Sequence, residues 1–380
     1  MTTDQNFDEI RPYYDSEVKE KIRLLLKDKV FNDVLKYLFK NRPKVEMVKF
    51  QLRRIRSIKQ LQGVFIYDLL HRLIDPTSKG LQCTGIEKLE KDKPYLFISN
   101  HRDIVLDAAL LNLLIFEHGM NTTQIAIGDN LLQYEWIKHT VKLNRSFIIK
   151  RNLPPRELIR ASQNVSQFIR KSITEDKMSI WIAQREGRTK DGSDKTQGSV
   201  LKMLNMSNKN GISEGFNELN IVPVSISYEL EPCGLFKIKE LIKKEHYGIT
   251  KTSKDDLKSM STGMFAPKGR IRFAFGEPVE THFAQAENNE QRNEYIRNIA
   301  GMIDQQIYNN YKLWPNNYIA YDMLMQEYRF KDKYTAEDKR TFEIMVEQAM
   351  VNIDYPITDL QERFLKLYAN PVINKLKNTE

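Results

Sequence analysis

The spacing of apolar positions changes twice along the chain. Up to about residue 75 they recur at three- and four-residue intervals, as at Val45, Val48, Leu52 and Ile55, which is the period of one helical face. From Pro76, Ser78 and Gly80 onward, short unbroken apolar runs take over. Residues 81–85 read as a short strand, and Tyr95-Leu96-Phe97-Ile98, between Pro94 and a polar cluster, as a stronger one. Further runs fall at 124–127, 146–149, 179–183, 221–227 and 270–275. Helical patterns separate several of them, a buried helix at 107–116 and a longer one at 155–174 among them. Beyond about 285 the helical period returns, and Thr335 with Asp338 makes a capping-box variant ahead of Phe342, Ile344, Met345 and Ala349. Strands alternating with helices predict an α/β domain at 76–285, its sheet largely parallel or mixed and flanked by helices. Helical additions at 1–75 and 286–380 complete the expected organisation.

Composition narrows the class. With 41% hydrophobic and 10% aromatic residues, the 380-residue chain has enough apolar side chains for a packed core. Charged residues make up 29%, and the most apolar stretch, 108–116, is interrupted by Asn112. A membrane-spanning helix needs about 20 apolar residues, so none is expected. The first residues alternate acidic and basic side chains without an apolar h-region, so no secretory signal is expected. Cys83 and Cys233 are too few and too far apart for a zinc pattern or a disulfide framework, and a reducing cytoplasmic compartment is expected.

Charge is concentrated in one segment. Residues 36–59 hold nine Lys or Arg against the single acid Glu46, almost the whole net charge of +9. Read as one basic amphipathic helix, the segment fits an anionic membrane surface. A solvated face whose apolar side packs on the protein is the preferred alternative, because a packed helix needs the same apolar face. Nucleic acid is not expected as a partner, because no interleaved aromatic platform or known binding module accompanies the cations.

Of six histidines, only His101 stands between a predicted buried strand and a predicted helix, in Ser99-Asn100-His101-Arg102-Asp103-Ile104-Val105-Leu106-Asp107. Strand ends are where α/β proteins gather their chemistry, and an imidazole with a nearby carboxylate has the parts of a general-base dyad. Three later segments add to it. The run 145–149 ends in Lys150 and Arg151; the run 179–183 leads into Gln184-Arg185-Glu186-Gly187-Arg188; the run 221–228 carries Pro223 near its start. Taken singly, these are a solvated basic end, a charged turn and an edge strand.

Taken in order, they resemble the glycerolipid acyltransferase superfamily, which includes glycerol-3-phosphate and 1-acylglycerol-3-phosphate acyltransferases. That family has an Asn-His-x4-Asp block, a strand ending in basic residues, a Glu-Gly-x-Arg block and a hydrophobic strand with a proline. The likeness covers roughly residues 80–280 and extends to Gly128-Asp129-Asn130-Leu131 and Gly276-Glu277-Pro278. Arg102 directly after the histidine is similar to the glycerol-3-phosphate branch. Two spacings depart from the pattern: five residues separate His101 from Asp107, and only Gly187 separates Glu186 from Arg188. Asp103 therefore competes with Asp107 for the carboxylate role, and Arg185 with Glu186 for the third block.

The resemblance implies an acyltransferase-type fold and an O-acyltransferase. A fatty acyl chain would pass from a thioester of acyl-carrier protein or coenzyme A to a hydroxyl of glycerol-3-phosphate or 1-acylglycerol-3-phosphate. His101 would be the general base and Asp107 its orienting partner. The acceptor's phosphate would lie among Arg151 and Arg188, with Arg102 and Lys195 as further candidates; Glu186 and Gly187 would meet the rest of the acceptor. No metal or tightly bound cofactor is implied. Lipid substrates imply a peripheral position on the cytoplasmic face of a membrane. An acylated amino acid as acceptor, or a catalytically impaired lipid-binding scaffold, is the alternative. Cys83 and Cys233 are expected to be packing residues rather than acyl-carrying nucleophiles.

Overall fold

The computed structural model describes residues 7–351 and 357–378. Seven strands form one sheet: β1 (Ser78–Thr84), β2 (Leu96–Ser99), β3 (Gln124–Gly128), β4 (Ser146–Ile149), β5 (Ile180–Ala183), β6 (Ile221–Tyr228) and β7 (Gly269–Phe275). Their spatial order is β1-β7-β6-β2-β5-β3-β4. The five strands from β6 to β4 run parallel, whereas β7 pairs antiparallel with β6 and carries β1 parallel to itself. The sheet is therefore mixed. Parallel strands put their C-terminal ends on one edge, so the residues following β2, β3, β4, β5 and β6 share a rim.

Buried strands read as continuous apolar runs because both faces are covered. Leu96, Phe97 and Ile98 of β2 are wholly buried, as are Val222 and Val224 of β6. On one side, Phe97, Val222 and Val224 pack with the helix Leu106–Glu117; on the other, Leu96, Ile98 and Ile180 pack with Phe168, Ile169 and Ile299. The helix Leu106–Glu117 is apolar around most of its circumference, as a helix buried in a core must be, with buried Asp107 and Asn112 as exceptions.

Pro223 does not make β6 an edge strand. A residue's N–H and C=O point to the same side of a strand, and the Pro223 carbonyl faces β7, accepting from Gly276 N at 2.8 Å. The ladder to β7 begins only at Val224, so the missing N–H of Pro223 falls where no ladder bond is required. At the far edge, β4 is covered: Ile148 N donates to Ile10 O at 3.0 Å.

The basic segment is not one helix. Helices Lys29–Phe39 and Arg42–Arg54 are separated by Lys40, which adopts a left-handed φ of 50°, and a third, Ile58–Leu61, follows. The break has a local cause: Asn41 starts a new helix, and Pro43 fits a first turn because that turn's N–H groups lack intrahelical partners. Val45, Val48, Leu52 and Ile55 are buried against Val18, Ile22 and Leu143, so the apolar face packs on the protein. Met47 and Phe50 are more than half exposed beside Arg53 and Arg54. Among the described residues, no helix is long and apolar enough to cross a membrane.

After β7, helices Asn289–Asn309, Pro315–Met325, Ala336–Met350 and Ile357–Lys377 follow. The first packs on the sheet; the others form a separate apolar cluster around Phe342, Phe364 and Tyr368.

Candidate active site

The loop after β2 winds around one carboxylate. Asp107, in the first turn of the helix Leu106–Glu117 and fully buried, accepts from His101 Nδ1 at 2.8 Å, Arg102 N at 2.5 Å and Asp103 N at 2.9 Å on one oxygen. Its other oxygen accepts from the Tyr228 hydroxyl at 3.0 Å. The two backbone donors absorb the extra residue between His101 and Asp107, because the loop curls around the carboxylate instead of passing it. A carboxylate only accepts, so Nδ1 carries the imidazole proton and the Nε2 lone pair remains for proton abstraction. The ring lies edge-on to Trp181, with centroids 5.6 Å apart, and its side chain is 13% exposed.

Asp103 has a different task. Its Oδ1 accepts from Val105 N at 2.9 Å and Leu106 N at 2.8 Å, capping the helix that carries Asp107. Burial, and then the neighbouring Asp107, push the Asp103 carboxyl above the usual carboxylate range. The geometry thus puts Asp107, not Asp103, on the imidazole.

Tyr228 was not singled out from the sequence, although it ends a recognised strand. Burial, followed by Asp107, raises its pKa well above that of an ordinary phenol, so the hydroxyl keeps its proton and donates it to Asp107. Asn100 fixes the start of the loop. Its side-chain amide accepts from Ile226 N at 2.7 Å and donates to Ile226 O at 2.9 Å, tying the residue before His101 to β6.

The candidate anion ligands separate into two kinds. Arg102 is buried and bound to carboxylates: Nη2 to Asp194, and Nη1 to Glu231 at 3.1 Å. Burial opposes its charge, but Asp194 and Glu231 outweigh that and hold its pKa above the usual arginine value. Glu231 also takes the wholly buried ammonium of Lys237, whose pKa burial lowers. Arg188 is nearly buried as well, yet its nearest carboxylate contact is looser, Nη2 to Glu240 at 3.6 Å; its Nη1, like Arg102 Nε, has no hydrogen-bond partner among the described residues. The main chain following it meets the dyad's loop, since Thr189 N donates to His101 O at 2.9 Å.

Arg151 follows β4, and its guanidinium crosses the end of β3, where a Cβ on Gly128 would come within 2.7 Å of Nε. Its backbone N–H reaches Asp129 at 3.2 Å, and Nη1 lies 3.3 Å from Glu186. Glu186 is 68% exposed. A pair with so exposed a partner contributes about 0–1 kcal/mol, so an incoming anion competes for Arg151 on easy terms. Gly187 has φ of 70° with nothing within 4 Å of an added Cβ; conformation, not close backbone approach, requires glycine there. Lys195 is exposed on a loop between buried Asp194 and Thr196.

Neither cysteine is set up as a nucleophile. Burial pushes the Cys83 thiol up to about 12 and raises that of Cys233, whose Sγ donates to Ser259 O at 3.1 Å.

Residues 80–228 match the family model described as Acyltransferase. The span includes the loop from Asn100 to Asp107, Arg151, the Glu186–Arg188 turn and Tyr228, so the α/β unit carries an acyltransferase domain. Among solved structures, the chain is similar to the 1-acyl-sn-glycerophosphate (LPA) acyltransferase PlsC from Thermotoga maritima. The identity is 14% and the TM-score 0.36, covering 76% of this chain and 94% of that one. No curated protein matches the chain.

Proposed function

We propose that this domain transfers a fatty acyl chain from a thioester, of acyl-carrier protein or coenzyme A, to a hydroxyl of glycerol-3-phosphate or 1-acylglycerol-3-phosphate in phospholipid synthesis. The observation that carries the reading is the His101–Asp107 hydrogen bond at 2.8 Å, on a loop bonded to the segment that follows Arg188. His101 Nε2 takes the acceptor's hydroxyl proton as its oxygen attacks the thioester carbonyl. The tetrahedral adduct expels the thiolate, which takes the proton back from the imidazolium. The products are an ester and a free thiol. A dyad suffices because a thioester is already activated, and no nucleophilic side chain is needed to form an acyl-enzyme.

Arg188 and Arg151 are the side chains best suited to the acceptor's phosphate, because a guanidinium fork meets phosphate oxygens in pairs. The basic surface around Arg53 and Arg54, with exposed Met47 and Phe50, supports a peripheral position on the cytoplasmic face of an anionic membrane.

The test is a mass-spectrometric transfer assay with purified protein and acyl thioesters of both carriers. The acceptors are glycerol-3-phosphate, 1-acylglycerol-3-phosphate and an acylated amino acid, and His101→Ala is the blank. Ester formation on a phosphorylated glycerol is the expected result. Transfer only to a non-phosphorylated acceptor would overturn the phosphate reading, and transfer to none would overturn the activity.

A further inference from the structure

We propose that Asp194 is a positioning residue for His101, acting by gripping both of the residues that flank it. Asp194 lies on the loop between β5 and the helix Gly198–Asn205, far from the dyad in sequence and wholly buried. Its Oδ2 accepts from Asn100 Nδ2 at 3.1 Å and from the Arg102 guanidinium. Asn100 immediately precedes His101 and Arg102 immediately follows it. One carboxylate therefore holds the side chains on both sides of His101, while Asp107 holds the ring itself.

The grip is anchored from behind. The same oxygen accepts from the Tyr311 hydroxyl at 2.7 Å, and the Asp194 carbonyl accepts from the Tyr308 hydroxyl at 2.8 Å. Helix Ile357–Lys377 adds Asn370 Nδ2 to Asp191 O at 2.6 Å and Asn374 Nδ2 to Ser193 O at 3.1 Å. Asp194 is held at a φ of 29°, a conformation that side-chain-bearing residues rarely adopt without being fixed by their surroundings. The C-terminal helices are thereby connected to the catalytic loop through this buried carboxylate, alongside the Arg102–Glu231 contact. Displacing a reacting group by about 1 Å can cost on the order of 100-fold in rate, so this connection has a kinetic consequence.

The inference rests on the transferase reading, and the experiment separates the two. Asp194→Asn keeps the shape and an acceptor oxygen but removes the charge that holds Arg102. Tyr311→Phe removes one anchoring donor without creating an unpaired charge, and serves if the first variant fails to fold. For each folded variant, kcat and KM for donor and acceptor are measured together with the thermal midpoint. A positioning role predicts that kcat falls about tenfold or more for Asp194→Asn and about threefold for Tyr311→Phe. Both KM values should stay within about twofold, because no substrate contact has been removed. A folded Asp194→Asn with wild-type kcat, or a rise confined to KM, would overturn the inference while leaving the transferase in place. If Asp194→Asn does not fold, a Tyr311→Phe protein with unaltered kcat overturns it. A wild type that transfers to no acceptor refutes the function, and the inference with it.

Discussion

Asp107→Asn is the substitution that interrogates the site most directly. The asparagine can place its oxygen where His101 Nδ1, Arg102 N and Asp103 N converge and its amide toward the Tyr228 hydroxyl, which can accept as well as donate. Loop geometry should survive. What disappears is the negative charge beside the imidazolium that the proposed proton abstraction would form. With the charge centres about 4 Å apart and an effective dielectric constant of about 20, that attraction amounts to about 4 kcal/mol. At 1.36 kcal/mol per decade, kcat should fall roughly 1,000-fold. Asp103→Asn gives the contrast. Asparagine caps helices as well as aspartate does, so the bonds to Val105 N and Leu106 N are kept and the rate should stay within about threefold. Steady-state turnover of both variants, with circular dichroism to confirm folding, is the assay. A fall of less than tenfold in folded Asp107→Asn, or a greater loss in Asp103→Asn, would refute the assignment.

Three further outcomes follow from other parts of the molecule. Arg188→Lys keeps charge but loses the planar fork, so KM for a phosphorylated acceptor should rise several-fold while the donor KM stays nearly flat; a rise in the donor KM alone would place the thioester carrier's phosphates there instead. The protein should sediment with anionic vesicles at low salt and be released by added salt, and replacing Arg53, Arg54 and Arg56 with Gln should weaken binding; sedimentation indifferent to both would refute docking through that surface. Burial pushes the carboxyl of Asp304, which accepts from Thr196 N and Oγ1, up to about 6 from an ordinary 3.8. Because the folded state binds this proton more tightly, stability falls as pH rises from about 4 to about 6, by on the order of 3 kcal/mol. Denaturant unfolding should show that slope in the wild type and lose it in Asp304→Asn; parallel curves would refute it.

The site's location was legible in the sequence, but its internal bonding was not. Apolar runs followed by polar residues mark strand ends locally, and a parallel sheet then brings the ends of β2, β4, β5 and β6 to one rim, whatever the strand order. His101, Arg151, Glu186 and Arg188 could be named from pattern for that reason. The choice between Asp103 and Asp107 depends on how one loop curls, which backbone N–H groups decide and side-chain spacing does not show. Arg102 looked like an anion ligand because its partners, Asp194 and Glu231, are distant in the chain. Tyr228 was hidden as the last residue of an apolar strand. The break at Lys40 did have a signal, Asn41 ahead of Pro43, that the continuous basic pattern obscured.

The arginines and lysines around the dyad show how one sequence feature, a cluster of cations, serves two physical purposes. Arg102 and Lys237 lie in the interior with Asp194 and Glu231 in matched number, so taking either cation away to serve a substrate would leave a buried carboxylate uncompensated, a loss of about 3–5 kcal/mol. Their charge is used to hold the fold of the catalytic loop. Arg188 and Arg151 are less committed: the carboxylate nearest Arg188, that of Glu240, stands off at 3.6 Å, and the partner of Arg151, Glu186, is exposed and displaceable. On the proposed reading, a dianionic phosphate would compete with the exposed Glu186 for Arg151 and with the distant Glu240 for Arg188, whereas it would not displace two buried carboxylates from Arg102. Charge alone would nominate all four cations for the substrate. Their counter-ions leave two.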